Sequence, residues 1–358
     1  DLWYKQLPSQ TAQEVCKLLD KSWKSFFALK KTDGIENPNP PGFKRNSIAI
    51  TYMQNAVVHE HGSDTVRLTL SKQLKGYMAD TYGICDNYLY LKNMIFKNMD
   101  IIKQIKVYPP VKGECKIIVI YEVPDVTPLP DSGRYLGIDL GLHNLMTCCN
   151  VSTGETFIAG RKYLSLCHYY NKEIARVQSQ WHSLQSRKGV KHPKGSKHIS
   201  RLYEKKNNAI NDYRHKVARA VVTYCNDNNI NTVVIGDIKN IRKDNNLGHA
   251  ANQKLHALPY RKLYVMLEYK LSLEGISFFK QNESYSSQTS PLAPAVDKSH
   301  ACKSNRVKRG LYADNDAVWN ADCVGAFNIV RLFLKKHKKA VTPDPMAIQS
   351  PYILKVAV

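Results

Sequence analysis

The chain has 358 residues, of which 43% are hydrophobic, so it can bury a sizeable core, form two or three domains and avoid global disorder. Its 52 Lys and Arg against 30 Asp and Glu leave a net charge of +22, which favours a polyanionic partner, nucleic acid first and an anionic membrane surface second. No apolar run approaches the roughly 18 residues of a membrane span, no secretory signal is visible, and the nine Cys form no C-x-x-C pair; a cytoplasmic protein without disulfides is expected.

An amphipathic helix is predicted over residues 9–31, with Ser9 as its N-cap and apolar residues at helical spacing. A stretch of Pro, Asn and Gly, residues 37–42, follows as a linker. The chain begins with Asp1 rather than Met, inside this helical region, which favours a truncated N-terminus. Residues 1–36 are therefore assigned to a helical segment that needs a partner surface.

Residues 37–130 are predicted to form a small antiparallel β-barrel or sandwich, because short β-prone runs alternate with turn residues. The prolines at 124, 128 and 130 mark its end. The predicted strands are 48–52, 56–59, 66–70, 88–91 and 115–121.

From residue 131 to 340 the pattern becomes a run of three strands followed by alternating helices and strands. The predicted strands are 134–140, 145–150, 155–160, 232–235 and 276–280, and the predicted helices are 163–187, 197–228, 260–273 and 321–336. Such an order, with Asp139 ending the first strand, predicts an α/β RNase H-like nuclease core. A charge in a strand is costly unless it is paired or holds a metal, although Asp139 as a turn cap stays open.

Acids that lie far apart in the sequence are brought together in such cores, because two Mg²⁺ ions about 3.5–4 Å apart need oxygen ligands. Between residues 160 and 210 there are twelve Lys and Arg against two Glu, so phosphate contacts are predicted there and in the polar insertion 284–318. The predicted nucleic-acid contacts are Lys172, Arg176, Arg187, Lys188, Lys191, Lys194, Lys197, Arg201, Lys205, Arg306, Lys308 and Arg309.

Four segments together resemble the transposon-encoded TnpB (OrfB) family. Residues 137–145 (GIDLGLHNL) are similar to its first RuvC motif, and residues 319–329 (WNADCVGAFNI) to its third. Residues 283–290 (ESYSSQTS) resemble its Tyr-Thr-Ser segment, and Leu7-Pro with residues 23–27 (WKSFF) resembles its N-terminal helical region. The order and spacing of these motifs carry the resemblance over nearly the whole chain.

The resemblance implies an RNA-guided, Mg²⁺-dependent DNA endonuclease of a prokaryotic transposable element, related to type V CRISPR effectors and Fanzor proteins. Its partners would be a guide RNA and double-stranded target DNA, and it would be associated with the nucleoid. It also implies a REC-like segment 1–36, a WED-like barrel 37–130, a RuvC domain 131–340 with a target-binding insertion 284–318, and a tail 341–358. Asp139, Glu283 and Asp322 would be the catalytic residues and hold two Mg²⁺ ions.

The chain departs from the family pattern in its second motif, where Gly236 stands in place of the expected Glu. Glu283, which follows another apolar strand, resembles the relocated acid of one subgroup. Asp237 as the replacement, Glu283 as a turn cap and a dead site remain open alternatives. The interval 288–320 contains only Cys302, so no structural zinc is predicted, as in a zinc-less subgroup that residues 305–312 resemble.

Three functions are therefore carried forward. The first is the RNA-guided nuclease. The second, motivated by Gly236, is a nuclease-dead RNA-guided DNA-binding protein that acts as a transcriptional repressor. The third, motivated by the N-terminus, is a decayed transposon fragment without stable activity.

Overall fold

The computed structural model describes residues 2–32, 35–43, 47–111, 113–238, 260–308 and 310–357. They divide into two units, residues 1–125 and residues 126–358. Within these ranges, none of the helices has both the length and the apolar surface that crossing a bilayer requires.

Among its described residues, the first unit has three α-helices and six short strands. The helices are α1 (Leu2–Gln6), α2 (Ser9–Lys31) and α3 (Lys72–Tyr82). The strands are β1 (Ile50–Met53), β2 (Val57–His59), β3 (Thr65–Thr69), β4 (Tyr88–Lys92), β5 (Ile101–Val107) and β6 (Ile117–Glu122). They form two antiparallel sheets, β1-β5-β6 and β2-β3-β4, whose buried side chains, Val66, Leu68 and Ile105 among them, share one core.

Helix α2 has the predicted bounds, but Pro8 is its N-cap and Ser9 is already helical, so the prediction that Ser9 caps the helix was wrong. Strand β5 and helix α3 were not predicted. Helix α3 contains Gly76 and buries none of its residues, so its sequence carries little helical periodicity.

The second unit is built on a six-stranded sheet. The six strands of this sheet are β7 (Tyr135–Asp139), β8 (Met146–Asn150), β9 (Thr156–Ala159), β10 (Thr232–Gly236), β11 (Ser277–Gln281) and β14 (Tyr352–Ile353). Strands β12 (Leu311–Asp314) and β13 (Ala317–Asn320) of the same unit form a separate hairpin. Its helices are α4 (Tyr163–Arg187), α5 (Lys197–Asp227), α6 (Tyr260–Ser272) and α7 (Ala321–Lys336).

The sheet order is β11-β10-β7-β8-β9-β14. Strands β7, β8 and β9 pair antiparallel, whereas β10 is parallel to both β7 and β11. A three-stranded meander extended on its first strand by two parallel strands is the connectivity of an RNase H-like core, which confirms the predicted fold class. The hairpin β12-β13 and the edge strand β14 were not predicted.

Helices cover both faces of this sheet. Leu136 and Ile138 of β7 face a core shared with α5 and α6, while Tyr135 faces a second core shared with α7. Gly137 lies under α7, where a Cβ atom would lie 2.7 Å from Val330 Cγ2 and would also meet the Ala326 carbonyl. Glycine at this position therefore allows α7 to lie directly on β7.

Candidate active site at the carboxyl ends of the strands

The three predicted acids come from the ends of three different elements. Asp139 is the last residue of β7, Glu283 lies two residues beyond β11, and Asp322 is the second residue of α7. All three line one cleft of about 830 Å³. The sheet and the helix packed on it thus bring together residues that are up to 183 positions apart in the chain.

Gly236 lies beside this cleft, because β10 pairs in parallel with β7 and the register joins Ile235 to Ile138. A Cβ atom on Gly236 would overlap Glu283 Oε2 and would lie 3.1 Å from Ile329 Cδ1. The Glu283 carboxylate therefore occupies the space that a side chain on residue 236 would fill. This geometry favours Glu283 as the relocated acid over a site without a second acid.

Asp237, the competing candidate, is adjacent to Glu283 but does not belong to the described lining of the cleft. Its backbone amide donates to the Gln281 carbonyl at 2.7 Å, so the pairing of β10 with β11 continues through it. Side chains of consecutive strand residues point to opposite faces, and Gly236 already faces α7. The pKa of Glu283 is raised first by burial and then by charge repulsion from the Asp237 carboxylate.

Two asparagines cap the backbone beside Glu283 and Asp322. The Asn282 side chain accepts from the Ser284 amide at 2.9 Å and closes the turn after β11. The Asn320 side chain accepts from the amides of Asp322 and Cys323, at 3.0 and 3.3 Å, as the N-cap of α7. The local backbone therefore has its caps without the carboxylates of Glu283 and Asp322.

The electrostatics of the cleft disfavour three ionised carboxylates. Burial raises the pKa of Asp139 well above its ordinary value, and the negative charges of Glu283 and Asp322 raise it further, while Arg306 lowers it. Burial is also the main cause of the raised pKa of Glu283. Such a concentration of acid is what a bound cation would relieve.

Three further residues of the cleft surround Asp322, and sequence reasoning identified only one of them. Arg306, predicted as a nucleic-acid contact, places Nη2 3.5 Å from Asp322 Oδ1. Asn144 donates to Asp322 Oδ2 at 2.9 Å and accepts from Arg161. The position of Asn144 inside the first motif could have identified it as a site residue. Apart from its charge, nothing in the sequence around Arg161 indicates a role in the site.

The donor chemistry fits Mg²⁺, which prefers carboxylate oxygens and retained water. In the part of the chain that the structure describes, however, no three His, Cys, Asp or Glu side chains are already gathered as a metal site. The contacts of Asp322 with Arg306 and Asn144 are consistent with this, because they hold its carboxylate in another interaction.

The other predicted nucleic-acid contacts lie on exposed surface. Those on α4, on α5 and in the loop between them are Lys172, Arg176, Arg187, Lys188, Lys191, Lys194, Lys197, Arg201 and Lys205. Arg176 forms an ion pair with Glu173 at 2.9 Å. Lys308 is exposed as well, and Arg309 lies outside the described residues.

Two family models match this chain. Residues 118–242 match the model described as a probable transposase, OrfB_IS605, and residues 260–329 match the model of the Cas12f1-like TNB domain. The second match begins at α6 and ends inside α7, so it includes both Glu283 and Asp322. No curated protein matches the chain.

The chain is similar to the protein in the structure of a Cas12f1–sgRNA–target DNA complex, with a TM-score of 0.58 and 14% identity over 89% of this chain and 70% of that one. It also matches a CRISPR-Cas12f ternary complex (TM-score 0.42, 16% identity, 86% and 68% coverage) and the mini-endonuclease Cas_phi3 (0.41, 12%, 92% and 67%). The first likeness establishes a shared fold. Together with the transposase-type match over residues 118–242, it confirms the resemblance to the TnpB-like family.

Proposed function

We propose that this chain is an RNA-guided, Mg²⁺-dependent DNA endonuclease of a transposable element, of the TnpB type. One observation carries the proposal: Asp139, Glu283 and Asp322 line one cleft, and the Glu283 carboxylate fills the side-chain space of Gly236. The transposase-type family match supports the biological setting. The Cas12f1 of the similar structure is bound to sgRNA and target DNA, which supports the same two partners here.

The three carboxylates would hold the metal ions. When bound, Mg²⁺ supplies an activated water and stabilises the leaving oxygen of a phosphodiester, the two roles of a two-metal site. Asp139 is fixed by strand β7 and Glu283 by the turn after β11, so both offer oxygens from a rigid frame. Arg306, at the same cleft, is suited to contact a phosphate, because its guanidinium is a fork of donors.

Sequence choice would come from base pairing between the guide and the target strand, while the protein binds backbone and shape. The exposed basic residues of α4, α5 and their connecting loop are proposed to bind phosphates, and the segments 1–36, 37–130 and 284–318 to act as the REC-like, WED-like and target-binding parts. These lysines and arginines are proposed to bind phosphates, which are the same at every nucleotide, so they suit a guide RNA whose sequence varies.

The test starts from RNA that copurifies with the protein, because its sequence identifies the guide. Asp139→Asn, Glu283→Gln and Asp322→Asn are then compared with wild type in a guided cleavage assay. Each should keep guide and target binding but lose cleavage by about 100-fold or more, since a metal ligand supports several kcal/mol of transition-state stabilisation.

Asp237→Asn is the matched control, because it removes a neighbouring carboxylate that does not line the cleft. Wild-type cleavage by Glu283→Gln, or loss of cleavage only in Asp237→Asn, would overturn the assignment of the second acid. Wild-type protein that binds guide and target yet never cleaves would favour the repressor instead.

A further inference from the structure

The segment that follows Glu283 is held by the same helix that supplies Asp322. The Asn328 amide donates to the Ser286 carbonyl at 2.9 Å and to the Thr289 carbonyl at 2.7 Å. Asn328 is 0% exposed, so losing these bonds would leave buried carbonyls without these donors. Ser286 in turn donates its amide to the Glu283 carbonyl at 3.0 Å.

Arg331, one turn further along α7, completes this contact. Its guanidinium donates to the carbonyls of Ser290, at 3.3 Å, and Ala293. It also donates to Asn328 Oδ1 at 3.0 Å. Arginine can only donate, so this bond makes Oδ1 the atom that faces Arg331 and directs the Asn328 NH₂ group towards the segment after Glu283.

The opposite side of the segment is held as well. The Gln288 carbonyl accepts from the Tyr312 hydroxyl at 3.1 Å and from the Cys302 amide at 2.8 Å. Tyr312 is completely buried. The segment 284–293 therefore lies between two sets of hydrogen-bond donors, which restricts where Glu283 can be placed.

Helix α7 also contacts the two other acids. Asp322 is in its first turn, about 9 Å along the axis from Asn328 at the usual rise per residue. Gly325, between them, would place a Cβ atom 2.8 Å from Asp139 Oδ2. One rigid helix thus carries one acid, touches the second and anchors the segment that begins at the third.

We infer that Asn328 and Arg331 form a positioning pair that sets the location of the Glu283 carboxylate relative to Asp139 and Asp322. Neither residue lines the cleft in the described part of the chain. Their effect passes through the backbone of residues 284–293. The inference rests on the proposed metal-dependent function, but it concerns assembly of the ligand set and can be measured without cleavage.

The experiment measures Mn²⁺ binding to the full chain by the loss of the free-ion paramagnetic resonance signal. Asn328→Asp keeps the acceptor for Arg331 but loses both donors, and Arg331→Met removes the guanidinium. Each should weaken Mn²⁺ binding about 10-fold or more, the usual effect of removing a group that orients metal ligands. Cleavage should then need correspondingly more Mg²⁺ and recover when the ion is saturating.

Arg331→Lys retains a donor and should stay within about threefold of wild type. Lys335→Met, one turn further on α7 and exposed, is the control and should bind Mn²⁺ normally. Faster hydrogen exchange of residues 284–290 in Asn328→Asp and Arg331→Met, but not in Lys335→Met, would locate the effect. If Asn328→Asp fails to fold, the test rests on the difference in Mn²⁺ affinity between Arg331→Lys and Arg331→Met.

Wild-type Mn²⁺ affinity in folded Asn328→Asp and Arg331→Met would overturn the inference. If wild type binds Mn²⁺ through the three acids but never cleaves guided target, the nuclease proposal fails and the positioning role stands. If wild type cleaves and the variants match it at every Mg²⁺ concentration, the positioning role fails and the nuclease proposal stands. Absence of any Mn²⁺ binding by wild type would overturn both.

Discussion

At the scale of single residues, Gly236 and Glu283 act as one feature. Gly236 follows an apolar strand and has no side chain, and the Glu283 carboxylate, from a neighbouring turn, lies where its Cβ would be. A Cβ atom on residue 236 would displace Glu283 Oε2 and would also press on Ile329 Cδ1. This reciprocity can be tested by moving the acid back.

We expect Gly236→Glu combined with Glu283→Ala to recover guided cleavage at least about 10-fold over Glu283→Ala alone, since positioning errors of about 1 Å cost up to 10²-fold and recovery will be partial. Gly236→Glu alone should be impaired, because two carboxylates would share one space. The control is Asp237→Glu combined with Glu283→Ala, which places a Glu side chain one residue further along, on the other face of the strand. Equal recovery in both double variants would contradict the geometry.

The raised pKa of Asp139 has a consequence for stability. The pKa of Asp139 in the folded protein lies above the ordinary value of about 4 that it has in the unfolded chain. Above pH 4, therefore, the unfolded chain has released this proton while the folded protein still holds it. Stability therefore falls as pH rises from about 4 through the raised pKa. Asp139→Asn should accordingly stabilise the metal-free protein at pH 7–8, by about 1 kcal/mol, and this gain should vanish near pH 4.

Urea unfolding in EDTA at constant ionic strength, at several pH values from 4 to 8, checks this expectation. Asp125→Asn, which removes an exposed carboxylate, is the control with which the pH-dependent gain is compared. An Asp139→Asn protein that is less stable than wild type at pH 8 would show that the carboxylate is stabilised, not strained, by its surroundings.

At the scale of elements, α7 is the helix on which the site depends. It lies directly on β7 at Gly137 and meets the Asp139 side chain at Gly325. Alanine usually stabilises a helix interior relative to glycine by roughly 0.5–1 kcal/mol. At Gly325 that gain is opposed by overlap with a short side chain that cannot move without leaving the cleft.

Gly325→Ala should therefore destabilise the fold by about 1–3 kcal/mol, as overpacking does, and weaken Mn²⁺ binding. Gly76→Ala is the matched control, because Gly76 is also inside a helix, α3, and its Cβ would have nothing within 4 Å. It should stabilise the protein slightly. Chemical denaturation of both variants decides the question, and the same sign of change in both would refute the packing argument.

At the scale of the whole molecule, the positive charge is unevenly distributed. Residues 126–358 contain 35 Lys and Arg against 17 Asp and Glu, an excess of 18, whereas residues 1–125 contain 17 against 13, an excess of four. Much of this excess is on α4, α5 and the loop between them. The Trp181 indole donates to the Lys194 carbonyl at 2.7 Å and holds this loop by its backbone, so lysine side chains can be changed without releasing it.

Replacing Lys188, Lys191 and Lys194 by Gln should weaken RNA binding and reduce the magnitude of the slope of log affinity against log salt by up to about 2. The reason is that a variant with fewer phosphate contacts releases fewer counterions when it binds. None of the three forms an ion pair with another described residue. The control removes three lysines that do form ion pairs and lie outside α4 and α5, Lys24, Lys103 and Lys339, with the same loss of charge. Fluorescence titration from low to moderate salt measures both slopes, and equal slopes would contradict a local binding surface.

What the sequence by itself determined was the order and type of the main elements of the core. Alternating or continuous apolar runs mark β7 to β11 because their side chains are buried on one or both faces, and long periodic stretches mark α4 and α5. Elements with a weak local signal were missed. Helix α3 buries nothing, and β14 has only two residues and is a strand only because it pairs with β9.

Tertiary structure decided which acids meet. The sequence identified Asp139, Glu283 and Asp322 as candidates, but it left Asp237 and the capping alternatives open, because each depends on neighbours that are distant in the chain. The parallel pairing of β10 with β7 and β11 puts Gly236 beside Asp139 and Glu283 against Gly236. Capping by Asn282 and Asn320 is local, because each side chain accepts from amides only two or three residues further along the chain. The contacts of Asn328 with carbonyls 39 and 42 residues away, by contrast, exist only once α7 has packed on the sheet, since no local pattern specifies a contact between distant segments.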